Sequence, residues 1–210
     1  MSSYAGWCLF VVMFVTGMLR FDWLRERAFG KILDIGCNRG DTFNGTPLAQ
    51  NIMGVDLDLW TPEYGLGFKH ADAHFLPFKD GEFDICVLAE ILEHVYDPVK
   101  VLSEARRVAS KFVLISVPYE FNWAADKKPC SPLEDQLKER NITYEQLFTC
   151  ETLSQPGCTG AIDDRTNRHL WHIRWYTADS LCEDIEKAGM QYKLQLLETS
   201  GWSWFMGVLK

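Results

Sequence analysis

An α/β fold built on an open parallel sheet is predicted by three observations: an apolar strand that opens into a glycine turn, a second strand that ends in an acid, and strand and helix signals that alternate along most of the chain. The first strand is Ile32 to Ile35, and in the turn Gly36-Cys37-Asn38-Arg39-Gly40 the two glycines let the backbone reach positive φ and approach a ligand closely. The second strand, Ile52 to Val55, is closed by Asp56. In such sheets ligands bind outside the carboxyl ends of the strands, and an acid about 20 positions after the glycine turn is placed to accept hydrogen bonds from ribose hydroxyls. Gly36 and Asp56 have that spacing.

The glycine pattern separates two cofactor classes. A dinucleotide site wants G-x-G-x-x-G and a helix N-terminus presented to a pyrophosphate. Here Asn38 stands where a middle glycine would, and the stretch from Asp41 to Gln50 carries Gly45 and Pro47. Its helix is therefore short or irregular, and it starts with a carboxylate that repels phosphate. A cationic, phosphate-free adenosine cofactor fits better than a dinucleotide, which disfavours an oxidoreductase of similar architecture.

Four blocks then occur in order: Ile32-Leu33-Asp34-Ile35-Gly36-Cys37-Asn38-Arg39-Gly40, Gly54-Val55-Asp56-Leu57, Ala71-Asp72-Ala73-His74-Phe75-Leu76-Pro77-Phe78, and Phe83 to Val95 with Ala89-Glu90-Ile91-Leu92-Glu93-His94 at its end. Through them the sequence resembles the class I S-adenosylmethionine-dependent methyltransferases, most closely the type 11 group. A weaker fifth block, His172-Ile173-Arg174-Trp175-Tyr176-Thr177, is similar to that group's lead-in to a late helix. Asn38 departs from the group's common glycine.

The resemblance implies a Rossmann-like, doubly wound sheet of seven strands, mostly parallel with the last strand antiparallel, and S-adenosylmethionine as cofactor. It implies that Asp34, Gly36 and Gly40 shape the pocket for the cofactor's amino-acid half and that Asp56 holds the ribose. Asp72 and Ala73 would flank the adenine, and Ala89 with Glu90 would floor the site; Cys37 and Leu57, within the same blocks, join the cofactor-binding set. Asp72 is also readable as a turn cap before Leu76-Pro77-Phe78, and His94 as a capping or core histidine near Asp97-Pro98. As acceptor-facing candidates we take His94, Tyr119 and His172; no residue is assigned as catalytic.

Composition bounds the partners. With 47% hydrophobic and 24% charged residues over 210 positions, one globular domain with a real core is expected. A formal charge of -8 argues against a phosphate-tracking surface, so a small-molecule acceptor is expected and nucleic acid is not. The seven cysteines are odd in number and scattered, as in a reduced, cytoplasmic protein, and no paired C-x-x-C supports a metal site.

Tyr4 to Leu19 carries no charge, and its 16 residues fall short of the ~20 of a membrane span. Three readings stay open: a buried helix lidding the pocket, a short membrane anchor giving membrane contact through residues 4–19, or an extension upstream of a start near Met18. Residues 1–30 are thus taken as an apolar N-terminal helix and lead-in, with Arg20 to Arg27 amphipathic, and 31–210 as the methyltransferase domain.

Asp97-Pro98 supplies an N-cap and a first-turn proline for a helix with Val99, Leu102, Ala105 and Val108 on its apolar side. Phe112 to Val117 is a strand buried on both faces. Thr177 caps a helix stopped by Gly189, and strands at about Gln191 to Leu197 and Trp202 to Leu209 close the sheet as a hairpin. Between them, about 119–171 departs from the rhythm, with a helical stretch only near Leu133 to Arg140. It leaves the ligand-bearing rim, so it is expected to cover the acceptor, with Tyr119, Phe121 and Trp123 either as walls or as packing onto the sheet. The activity implied is methyl transfer to a small molecule; the rival is a non-catalytic scaffold of the same fold, membrane-tethered or not.

Overall fold

The structure is a computed structural model that describes residues 11–14, 20–57, 62–119, 161–163, 168–170, 176–198 and 203–210. Its elements in chain order are β1 (Val11–Phe14), α1 (Arg20–Arg27), β2 (Ile32–Ile35), β3 (Ile52–Asp56), β4 (Gly67–His70), β5 (Phe83–Ala89), α2 (Pro98–Val108), β6 (Ala109–Pro118), β7 (Ala161–Asp163), β8 (Arg168–Leu170), α3 (Ala178–Lys187), β9 (Tyr192–Glu198) and β10 (Ser203–Leu209). The main sheet runs β1-β9-β10-β6-β5-β2-β3-β4. Every pairing in it is parallel except those of β10, which is antiparallel to both β6 and β9. From β9 to β4 this is the expected seven-stranded sheet.

An eighth strand corrects the reading of the N-terminus. Val11–Phe14 pairs parallel with β9, Val11 opposite Gln195 and Phe14 opposite Glu198, where a helix was expected. A four-residue apolar run has no period of its own, and an open sheet edge decides its state. Among the described residues no helix is long and apolar enough to cross a membrane.

Alternation across the pleat builds one core on each face. Ile32, Ile52, Ile85, Val87, Leu114, Trp204 and Met206 face Trp23 and Leu24 of α1 and Phe43 of the glycine-turn exit. Leu33, Ile35, Cys86, Leu88, Val113, Ile115 and Phe205 face Val101, Leu102 and Ala105 of α2 and Leu181 and Ile185 of α3. The caps are those the sequence announces: Asp97 accepts from the Lys100 N–H at 2.9 Å, Thr177 and Ser180 form a reciprocal capping box, and Gly189, at φ 71°, ends α3. After the glycine turn the helix is reduced to a 3₁₀ turn, Pro47–Asn51, as its composition predicts.

β7 and β8 form a separate antiparallel pair inside the 119–171 region. The Leu133 to Arg140 helix, Phe121 and Trp123 lie outside the described residues.

Gly54 shows how tightly the α1 side is packed. A Cβ there would stand 2.8 Å from the Cys37 sulfur and 3.1 Å from the Tyr64 ring. Gly54→Ala is expected to cost about 1–3 kcal/mol by overpacking, read as a lower denaturation midpoint. Combined with Cys37→Ala, which removes the thiol, the loss should be smaller than the sum of the two single losses; strict additivity would show that this contact is not the cause.

Candidate functional site

The carboxyl ends of four adjacent strands, β5, β2, β3 and β4, surround a cavity of about 440 Å³, a size usual for small-molecule sites. The turn after β2 is tied to β3: the Gly36 and Cys37 N–H groups both donate to the Val55 carbonyl, at 2.8 and 3.1 Å, and the Asn38 N–H donates to Asp56 Oδ2 at 2.8 Å. Gly36, at φ 72°, has no room for a side chain, since a Cβ would lie 2.5 Å from Ile91 Cδ1. Asn38 and Glu90 are the non-glycine residues with left-handed backbones among the described residues, at φ 46° and 55°, and both line the cavity. Such conformations cost energy and concentrate at binding sites.

Most of the sequence-predicted residues come together here. Gly36, Cys37, Asp56, Leu57, Asp72, Ala73, Ala89, Glu90 and His94 all line the cavity. Asp34 and Gly40 do not. Gly40 packs against Asn44 and Pro62 and so acts on the shape of the turn. Asp34 is buried, with Tyr64 Oη donating to its Oδ2 at 2.6 Å and no partner for Oδ1 among the described residues. Tyr119 is also elsewhere, edge-on to Phe205 at 4.9 Å between ring centres, and His172 lies outside the described residues.

Sequence reasoning missed the α1 contribution. Arg20 and Phe21 line the cavity, Arg20 pairs through Nε with Glu90 Oε1, and its guanidinium lies 4.2 Å from the centre of the Phe21 ring and 5.1 Å from that of Trp204. Arg25, one turn on, donates to the Thr42 and Asp41 carbonyls and so fastens α1 to the glycine-turn exit. The available signal was Arg20 itself, the first charge after an uncharged run. His74, inside a recognised block, was also overlooked; it is buried and lines the cavity.

The donor set favours one ligand chemistry. Asp41, Asp56, Asp72 and Glu90 line the cavity against Arg20 as its basic residue, so a phosphate would meet like charge and a cation would not. Asn38 leaves Oδ1 without a partner among the described residues, and the Arg20–Glu90 pair offers one cation and one anion to a zwitterion. These residues fit a nucleoside bearing an amino acid and a positive charge.

Residues 33–112 match the family model described as a methyltransferase domain. The chain is 35% identical over 100 residues, 40% of its length, to a ubiquinone biosynthesis O-methyltransferase of Aromatoleum aromaticum, and 27% identical over 203 residues, 85% of its length, to the norajmaline N-methyltransferase of Rauvolfia serpentina. It spans 43% and 63% of those two relatives' own lengths. Among solved structures, a SAM-dependent methyltransferase from Thermotoga maritima shares the fold, with TM-score 0.56 at 16% identity, over 90% of this chain and 87% of that one.

Burial raises the Asp34 carboxyl to about 7, with the Tyr64 hydrogen bond opposing and the Asp56 charge adding. The ordinary value is 3.8, so from about pH 4 to 7 the folded protein keeps a proton that the unfolded chain releases. Asp34 therefore makes stability fall as pH rises through that window, by at most about 1.4 kcal/mol per unit. Asp34→Asn should lack this fall and gain on the wild type toward pH 8 in denaturant titrations; parallel stability curves for the two proteins would refute the buried neutral acid.

Proposed function

We propose that this chain, which carries a class I S-adenosylmethionine-dependent methyltransferase domain, methylates a small organic acceptor at the open side of its acid-lined cavity. The observation that carries the reading is the convergence of Asp56, Asp72, Glu90 and Arg20 on one cavity at the carboxyl ends of four strands. When bound, the cofactor supplies a methyl group on a sulfonium, which a nucleophile displaces in line. Asp56 would accept from the ribose hydroxyls, Asp72 from the adenine amino group, and Glu90 and Arg20 would take the ammonium and carboxylate of the amino-acid half. α1, held by Arg25, keeps water from that end of the cavity.

For the acceptor, relatives named for ubiquinone biosynthesis and for norajmaline support a small organic molecule. Positioning carries much of such a reaction, since orientation of a near-attack pair is worth roughly 7–11 kcal/mol. Where the acceptor must lose a proton, we assign its removal to His94, on the cavity wall with Nε2 3.9 Å from the buried Glu93 carboxylate.

Calorimetric titration with S-adenosylmethionine, S-adenosylhomocysteine and NAD tests the reading. Binding of the first two with none of NAD is expected; NAD alone binding would return the site to an oxidoreductase, and silence toward all three would favour a scaffold. Asp56→Ala should weaken S-adenosylhomocysteine roughly 10- to 100-fold, the worth of hydrogen bonds to a charged group. Asp56→Asn, which keeps an acceptor for the Asn38 N–H, separates ribose binding from loop anchoring: affinity near the wild type in both variants would remove Asp56 from the site.

A further inference from the structure

His74 lines the cavity with its ring held from three sides. Its Nδ1 lies 2.6 Å from Asp72 Oδ1, which also accepts from the His74 backbone N–H at 2.9 Å. The Asp97 backbone N–H donates to His74 Nε2 through a long, 3.4 Å hydrogen bond. Tyr96 stacks on the ring, 3.7 Å between centres and 18° from parallel. A nitrogen that accepts from an N–H carries no proton, so the neutral ring holds its proton at Nδ1 and donates it to Asp72.

Neither nitrogen is then available for proton exchange with an acceptor, which excludes His74 as the acid or base of the reaction. Its consequence falls on Asp72. The carboxylate is about one-third exposed, with one oxygen drawn inward by two donors while the residue lines the cavity. Its other oxygen is set by that constraint. The constraint reaches back to the start of α2, because Asp97, which holds the far side of the ring, is also the N-cap of that helix.

We propose that His74 is a positioning residue: by fixing the Asp72 carboxylate it sets the site's preference for a 6-aminopurine over a 6-oxopurine. This rests on the cofactor reading above. A carboxylate accepts from an exocyclic amino group, whereas a 6-oxo group opposes it with a second acceptor, and a site built around such a hydrogen bond rejects the analogue that lacks it. Without the His74 donor, Asp72 can turn toward solvent and the discrimination is lost.

The experiment compares equilibrium binding of S-adenosyl-L-homocysteine and S-inosyl-L-homocysteine, which differ at position 6 and in the proton that the oxo base carries on N1, to the wild type, His74→Phe and His74→Asn. The wild type is expected to prefer the adenosyl compound by 10-fold or more. His74→Phe keeps a ring for Tyr96 to stack on but has no donor; its preference should fall to within about threefold, through weaker adenosyl binding with inosyl binding little changed. His74→Asn, which returns a donor near the place of Nδ1, should recover part of the preference and keeps the test open if the Phe variant does not fold. An adenosyl-to-inosyl ratio that stays at the wild-type value in either folded variant overturns the role of His74. Binding of neither compound by the wild type instead overturns the cofactor reading on which it rests.

Discussion

The close join between the ends of β2 and β3 is the constraint on which the site depends. One carbonyl, that of Val55, receives both Gly36 and Cys37, and one carboxylate, that of Asp56, receives Asn38. These bonds fold the turn back over the neighbouring strand, which forces positive φ at Gly36 and Asn38 and leaves no room for a side chain at Gly36 or Gly54. Asp56 therefore serves the fold before it serves a ligand. A carboxylate already oriented by a backbone N–H loses less freedom on binding, which is how a site gains affinity by preorganisation.

The α1 side of this join is where buried polarity accumulates. Cys37 and Tyr64 crowd Gly54, Tyr64 holds Asp34, and burial pushes the Cys37 thiol and the Tyr64 hydroxyl up as well as Asp34. Below about pH 7, where Asp34 keeps its proton, three neutral groups pack together where three charges could not. The same neutrality keeps negative charge off the back of a cavity whose front already carries four acidic side chains.

The central strands were legible because a strand buried on both faces needs a near-continuous apolar run, and Ile32 to Ile35, Ile85 to Leu88 and Phe112 to Val117 can be little else. Caps were legible for the same local reason: Asp97-Pro98 and Thr177 act on N–H groups within a few residues. The failures are non-local. Val11–Phe14 is a strand because β9 offers an open edge, and nothing within four residues of it records that edge. Asp34 belongs to the cofactor motif in sequence yet does not line the cavity, because it is buried against Tyr64. Arg20 enters the site through the docking of α1, and His74 through contacts with Asp97 and Tyr96, more than 20 positions away; spacing within the motifs carries neither.

The two cavity histidines show how one environment divides the work. His74 has both ring nitrogens engaged within the fold, so it holds geometry and exchanges no proton with a ligand. His94, on the loop after β5, has its side chain about one-quarter exposed beside a carboxylate that is almost fully buried. A proton arriving on the His94 ring would be stabilised by that carboxylate, and the exposed edge gives the proton a route to solvent. In-line displacement at a methyl group forms no bond to the protein, so a base is needed only when the acceptor carries a proton it must shed. On the proposed reading Asp72 and Asp56 hold the nucleoside while His94 stands apart from them on the loop after β5, so the acceptor can change without altering the strand ends that fix the cofactor.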